Sequence, residues 1–229
     1  NLAVEHRSDV WKQDFQLKRA DLWRRQAKWQ EAARDMREVA ATGADAAKTW
    51  TFARDLAVVE LAAGDLKAWL LAVAETDKRI GTNPNGDQAR WLVFATVSGS
   101  AMISSEQHDR LFKIVDDKLT DKQAAWKPHL QAALLYRTGK FQEAADLFDK
   151  NTNGPANAAF QFHAAMAHHK LGHDDQVKKL FDQTNTWIAG QEGKDAAPAV
   201  PKGHGWLEWA IYKSLQREAA ALRNEADKK

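Results

Sequence analysis

The chain has 229 residues, and its 33 Lys and Arg against 31 Asp and Glu leave a net charge of +2. That balance gives no global pull towards nucleic acid or an anionic membrane surface. The absence of cysteine excludes disulfides, thiolate metal sites, iron–sulfur clusters and cysteine nucleophiles, and no apolar run approaches the ~20 residues that cross a bilayer.

Apolar residues recur at i, i+3, i+4 and i+7, and no proline interrupts a long periodic segment, which predicts an all-helical chain. The first predicted hairpin covers 13–41, with AKWQEAARDM (27–36) at its turn and second helix. The second covers 50–80 and turns at Gly64 in AGDLKAWLLAV (63–73), with Trp69 where the other hairpins have a small residue. The third, 88–119, has Met102 in place of a turn glycine. Its second helix, SSEQHDRLFKIVDDKL, opens on a cap at Ser104 or Ser105. The fourth, 125–151, places Pro128 in a first turn, where a missing N–H costs nothing. It continues as GKFQEAADLF (139–148), and the fifth, 158–185, turns into GHDDQVKKLF (172–181). A segment rich in glycine and proline, 189–205, is expected to be a flexible break. A last helix over 206–225 carries the stripe Trp206, Trp209, Ala210, Leu215, Ala219 and Leu222 and is expected to cap the array.

These hairpins are copies of one pattern. AKWQEAARDM and GKFQEAADLF share Lys28/Lys140, Gln30/Gln142, Glu31/Glu143, Ala32/Ala144 and Ala33/Ala145, with Trp29 matched by Phe141. Alanines stand at 20, 57, 95, 132 and 165, at spacings of 37, 38, 37 and 33 residues. A small residue repeated at one site of a helical hairpin lets two helices approach closely, and the aromatic after it plugs the next interface. The pattern resembles the tetratricopeptide repeat family, whose unit is a helix–turn–helix of about 34 residues. The resemblance covers roughly 10–188, best over 125–151 and 158–185. A weaker one, in LAAGDLKAW and AMAHHKLGH, is to repeat arrays that end long bacterial proteins behind Ser/Thr kinase or WD-repeat domains. On that reading a chain that begins at Asn1 is a fragment or a processed product.

What the resemblance implies is a right-handed all-α superhelix of five hairpins and a cap, forming one domain over 1–229. The first helix of each hairpin would line a concave groove. Lys18, Arg25, Arg54, His129, Tyr136, Arg137, Phe162, His163, Met166, His169 and Lys170 fall on the groove-facing positions. This set is apolar in the middle and basic towards the C-terminal end, which suits an acidic peptide anchored on Tyr136 and Phe162 with Arg137 and Lys170 selecting charge. No Asn occupies these positions, unlike family members that clamp a terminal carboxylate.

Chemistry is harder to find. His163, His168, His169 and His173 cluster before Asp174 and Asp175, but the turn at Gly172 breaks the i, i+4 relation of His169 and His173. No HExxH, GxxxxGK[ST], GxGxxG or GxSxG motif is present. The expectation is therefore no enzyme, no metal and no cofactor. Arg24–Arg25 and Lys178–Lys179 are diluted by acidic neighbours, so no nucleic-acid partner is expected. The functional expectation is a non-catalytic protein-interaction scaffold that binds a peptide or partner protein in its groove. The alternative is a regulatory or structural segment of a larger enzyme such as a Ser/Thr kinase. Self-association through an open end of the array is a third idea. No signal peptide is visible, and a cytoplasmic location is the expectation.

Overall fold

The computed structural model describes residues 2–151, 158–192, 200 and 205–226, with no description of the side chains of 2–9, 121, 122, 225 and 226. Among the described residues all regular structure is helical. The helices are α1 (Leu2–Arg25), α2 (Trp29–Ala41), α3 (Trp50–Ala63), α4 (Leu66–Ile80), α5 (Gly86–Val97), α6 (Ser105–Lys118), α7 (Lys127–Arg137), α8 (Phe141–Lys150), α9 (Ala158–Lys170), α10 (Asp174–Glu192) and α11 (Trp206–Ala226). Short 3-10 turns stand at Asp45–Lys48 and Asp121–Trp126. The five predicted hairpins are α1–α2, α3–α4, α5–α6, α7–α8 and α9–α10, and α11 is the predicted last helix.

Local chemistry sets the helix ends. Thr49 caps α3 by accepting from the Phe52 N–H, and Ser104 caps α6 by accepting from the Gln107 N–H. Asn85 and Gln88 form a reciprocal capping box at the start of α5. Pro128 sits in the first turn of α7. The repeated alanines form the seams: Ala20, Ala57, Ala95, Ala132 and Ala165 are each at most 2% exposed, as are Ala32, Ala33, Ala144 and Ala145. A larger side chain at any of them would push two helix backbones apart.

One turn is used four times. The N–H of Gly64, Gly139 and Gly172 bonds three residues back, and the next N–H bonds five residues back, to Glu60, Leu135 and His168. This is a left-handed helix stop that satisfies orphan carbonyls, and glycine enters it at no steric cost. The first hairpin makes the same bonds, Ala27 to Arg24 and Lys28 to Trp23, with an alanine at φ +54°. The third hairpin has no such turn. Its connection runs from Ser98 to Ser104, with the Ile103 N–H donating to the Arg137 carbonyl of α7.

Two expectations are corrected here. The expected flexible segment starts too early, because α10 continues as helix through Ala189–Glu192. Of the remainder only Val200 and Gly205 are among the described residues, and the Val200 N–H donates to the Arg25 carbonyl. The chain also divides into two compact units, 1–79 with 194–210 and 80–193 with 211–229. In the first, α2 packs on α1 and α3. Its core is built on Ala20, Ala32, Ala33, Met36, Val39 and Phe52, with Leu17, Trp23 and Trp206 against it. In the second, α7 packs on α5, α6, α8 and α9, and α9 packs on α10.

Ala27→Gly removes the left-handed strain at the first turn while leaving its hydrogen bonds in place. The expected result is a gain of about 0.5–1 kcal/mol in urea unfolding, whereas Gly64→Ala loses a similar amount.

Candidate functional site

The expected groove residues fall into two groups. His129, Tyr136, Arg137, Phe162, His163 and Met166 are all buried. Lys18, Arg25 and Lys170 are exposed, with Arg54 and His169 between the two groups. The buried six belong to α7 and α9, and the expectation that they line an open groove is corrected by what covers them.

Arg137, the last residue of α7, is 1% exposed. Its Nε donates to the Val97 carbonyl at 2.8 Å, and Nη1 and Nη2 donate to the two carboxylate oxygens of Glu218 at 2.6 and 2.8 Å. Glu218 is on α11, so the cation expected to hold a ligand's carboxylate holds one from its own chain. Further along, Gln216 donates to Asn185 at 2.6 Å, Lys213 pairs with Glu192 at 3.1 Å, and Arg223 pairs with Asp182 at 3.5 Å. Ala219, Leu222 and Arg223 face Met166, His169, Val177 and Phe181 across a gap of about 10 Å³, barely the space of one water. Helix α11 therefore lies on the α7–α9–α10 face and fills it.

The Val97 carbonyl also accepts from His163 Nε2 at 3.0 Å. A carbonyl cannot donate, so Nε2 carries a proton. Burial first, and then the Arg137 charge, push the His163 pKa down to about 3, with the Val97 bond partly opposing them. Burial likewise pushes the Tyr136 hydroxyl up to about 12, with Arg137 opposing and Glu218 adding. His129 stacks on Phe160 at 4.4 Å, and burial lowers its pKa. Both of its ring nitrogens are buried without a partner. Phe162 packs edge-on against Phe181 at 6.1 Å.

Three of the remaining candidates are satisfied locally. Lys18 pairs with Asp14 at 2.7 Å and Arg25 with Asp21 at 2.8 Å. Arg54 grips Asp55 and lies 5.3 Å over the Trp50 ring. On α1, Trp11, Phe15 and Leu22 stand exposed along one face. In the histidine cluster the Nδ1 atoms of His168 and His173 are 3.1 Å apart, and His168 Nε2 lies 3.2 Å from Asp149. Asp149, a carboxylate, accepts from Nε2–H. No group of three or more metal-binding side chains gathers among the described residues, and no described helix is long and apolar enough to cross a membrane.

Sequence reasoning missed Glu218. Its signal is that it lies on the stripe Leu215, Glu218, Ala219, Leu222, a carboxylate at i, i+3, i+4 spacing on an otherwise apolar face.

No family model matches the chain, and no curated protein matches it. Among solved structures it is similar to a Podosopora anserina protein described as a kinesin light chain with nearly identical TPR-like repeats. The match has 14% identity, 79% of this chain and 96% of that one covered, and a TM-score of 0.46. A second structure under that description matches at 14% identity, with 77% and 95% covered and a TM-score of 0.45.

The buried neutral histidine gives a pH signature. Above pH 6.5 neither state charges His163 and its contribution to stability is complete. Between 6.5 and about 3 the unfolded chain takes a proton that the folded chain refuses, so stability falls as pH falls, by up to about 1.4 kcal/mol per pH unit. His129 adds the same sign. His163→Gln is expected to flatten this slope in urea unfolding followed from pH 7 to pH 4.

Proposed function

We propose that the chain is a non-catalytic protein-interaction scaffold whose α7–α9–α10 face receives an amphipathic helix carrying a carboxylate. One observation carries the reading: the bidentate Arg137–Glu218 pair, with Leu222 and Ala219 on the same helix set against Met166, Val177 and Phe181. The fit of α11 on this face supports a match to a helix of that chemistry. Two parallel N–H···O bonds fix register as well as charge, and the helix-in-groove mode places apolar anchors at helical spacing. In the chain alone, α11 is the occupant. A partner protein with an acidic amphipathic segment would take its place, consistent with the acidic peptide expected from the groove charges. Exposed Lys170 and half-buried His169 at the end of α9 would border such a segment. Self-association has its own surface in the Trp11, Phe15 and Leu22 stripe of α1, and it would show as apparent mass rising with concentration.

The test is fluorescence anisotropy with a labelled peptide of residues 206–226. The targets are the full chain and a Glu218→Gln/Leu222→Gln variant that loosens its own helix, with circular dichroism on each. A tethered occupant competes at millimolar effective concentration. The variant is therefore expected to bind the peptide at least about tenfold more tightly than wild type. A peptide with Glu218→Lys should lose binding to both. If a folded variant captures no peptide, the face serves only to pack α11, and the scaffold reading fails in this form.

A further inference from the structure

A separate feature lies in the first unit. Where α1, α2 and the start of α3 meet, a cavity of about 190 Å³ opens to solvent. Its inner wall is apolar, from Leu17, Met36 and Phe52, and its mouth is polar, from Arg24, Asp55 and Thr51. Met36 and Phe52 are buried, whereas Thr51 is exposed, which fixes the direction of entry. For scale, an apolar cavity of about 150 Å³ takes up benzene. The space therefore suits one ring or one branched side chain.

The polar mouth selects what that body is attached to. Arg24 donates from Nη2 to Asp21 at 3.0 Å and from Nη1 to Asp55 Oδ2 at a long 3.3 Å. Its guanidinium lies 4.3 Å from the Trp206 ring, which holds it in place. Its Nε–H is buried with no partner. Asp55 takes two bonds from Arg54 on Oδ1, at 2.8 and 2.5 Å, and only the long Arg24 contact on Oδ2. A weakly bonded donor, Arg24 Nη1, therefore stands beside an acceptor with spare capacity. A ligand carboxylate at this mouth would meet Asp55, and a ligand ammonium would meet Arg24. A neutral group that offers both a C=O and an N–H satisfies both neighbours. Burial raises the pKa of Asp55 in spite of its two arginine partners, in keeping with a carboxylate that still lacks donors.

We propose that this cavity is a binding site for an apolar ring or side chain carried on an amide, with the amide carbonyl accepting from Arg24 and its N–H donating to Asp55. Two sources share that chemistry: a bulky apolar residue of a peptide segment, and a free small amide. The cavity is lined by none of the residues of the Arg137 face, and the titration below reads it in the unaltered chain, so its outcome is separate from that of the helix-binding test.

The experiment is a methyl NMR titration of the full chain, observing Leu17, Met36 and Thr51. The probes are N-acetyl-phenylalaninamide, benzamide, 3-phenylpropionate and ethylbenzene. The expected result is saturable shifts at these methyls with the amides, and binding about tenfold weaker with the carboxylate and the hydrocarbon. Tighter binding of N-acetyl-phenylalaninamide assigns the peptide source, and tighter binding of benzamide the free amide. Thr51→Trp closes the mouth from an exposed helix position and should weaken the preferred amide about tenfold or more with helicity unchanged. No saturable shift at these methyls with either amide overturns the proposal. So does ethylbenzene binding as tightly as the amides, or undiminished binding to folded Thr51→Trp.

Discussion

The unit built on 80–193 depends on one backbone carbonyl. Val97 ends α5, where the last carbonyls of a helix have no partner within it. Its oxygen accepts from Arg137 Nε on α7 and from His163 Nε2 on α9, and Arg137 carries Glu218 of α11 on its other nitrogens. Four helices thus meet through one acceptor and one guanidinium. Desolvating a guanidinium and a carboxylate is expensive, and pairing them often does no more than break even. The arrangement is therefore better understood as a register device than as a source of stability. Any displacement of α11 leaves a buried cation without its anion, and any displacement of α5 leaves two buried donors without an acceptor. The same logic makes His163 neutral: beside a fixed positive charge and out of water, an imidazolium has no place.

Stability comes from apolar packing around that network. Trp91, Phe94, Trp126 and Phe160 form a chain of tilted and edge-on ring contacts 5.4 to 6.1 Å apart, with His129 stacked on the end at 4.4 Å. Two of the chain's ten tryptophans are thus accounted for, since these rings fill the space between hairpins where alanine pairs cannot reach. His129 works here as a flat apolar body. Its unpartnered nitrogens cost free energy, which the stack and the surrounding burial offset. In the first unit the corresponding polar device is Arg19, which forks both oxygens of fully buried Asp35 at 2.7 Å each.

What could be read in the sequence was what is local. Paired alanines, turn glycines, Asn, Ser and Thr caps and one first-turn proline each act within a few residues, and they point to helical hairpins in series, although α1 begins at Leu2, well before the expected 13. The third connection and the length of α10 were less legible, because neither has a residue that forces a stop: Gly190 and Gly193 are permissive, and helix packing decides. The site was legible only as a register. Arg137, His163 and Met166 were placed on the correct helices, but their exposure was inferred from the assumption that nothing lay on them. Their occupant is 81 residues away from Arg137 in sequence, and a contact of that separation leaves no periodic trace. Its one sign was a carboxylate on an apolar stripe.

Two arginines, one in each unit, are satisfied to different degrees. Arg137 directs all three of its nitrogens at acceptors of good geometry, at 2.6 to 2.8 Å, and at 1% exposure a newcomer reaches it only by displacing one of them. Arg24 is half-buried and also paired, yet its bond from Nη1 to Asp55 at the cavity is long. It is held chiefly by Trp206 and Asp21, which stand outside the cavity lining. A donor held by groups outside a cavity and only weakly bonded at its mouth is preorganised, because the ordering cost of binding has already been met in folding. A donor satisfied in full can recognise a partner only by exchange. Recognition at Arg137 as proposed would compete with the chain's own last helix, whereas recognition at Arg24 would rely on that helix's Trp206 to hold the guanidinium.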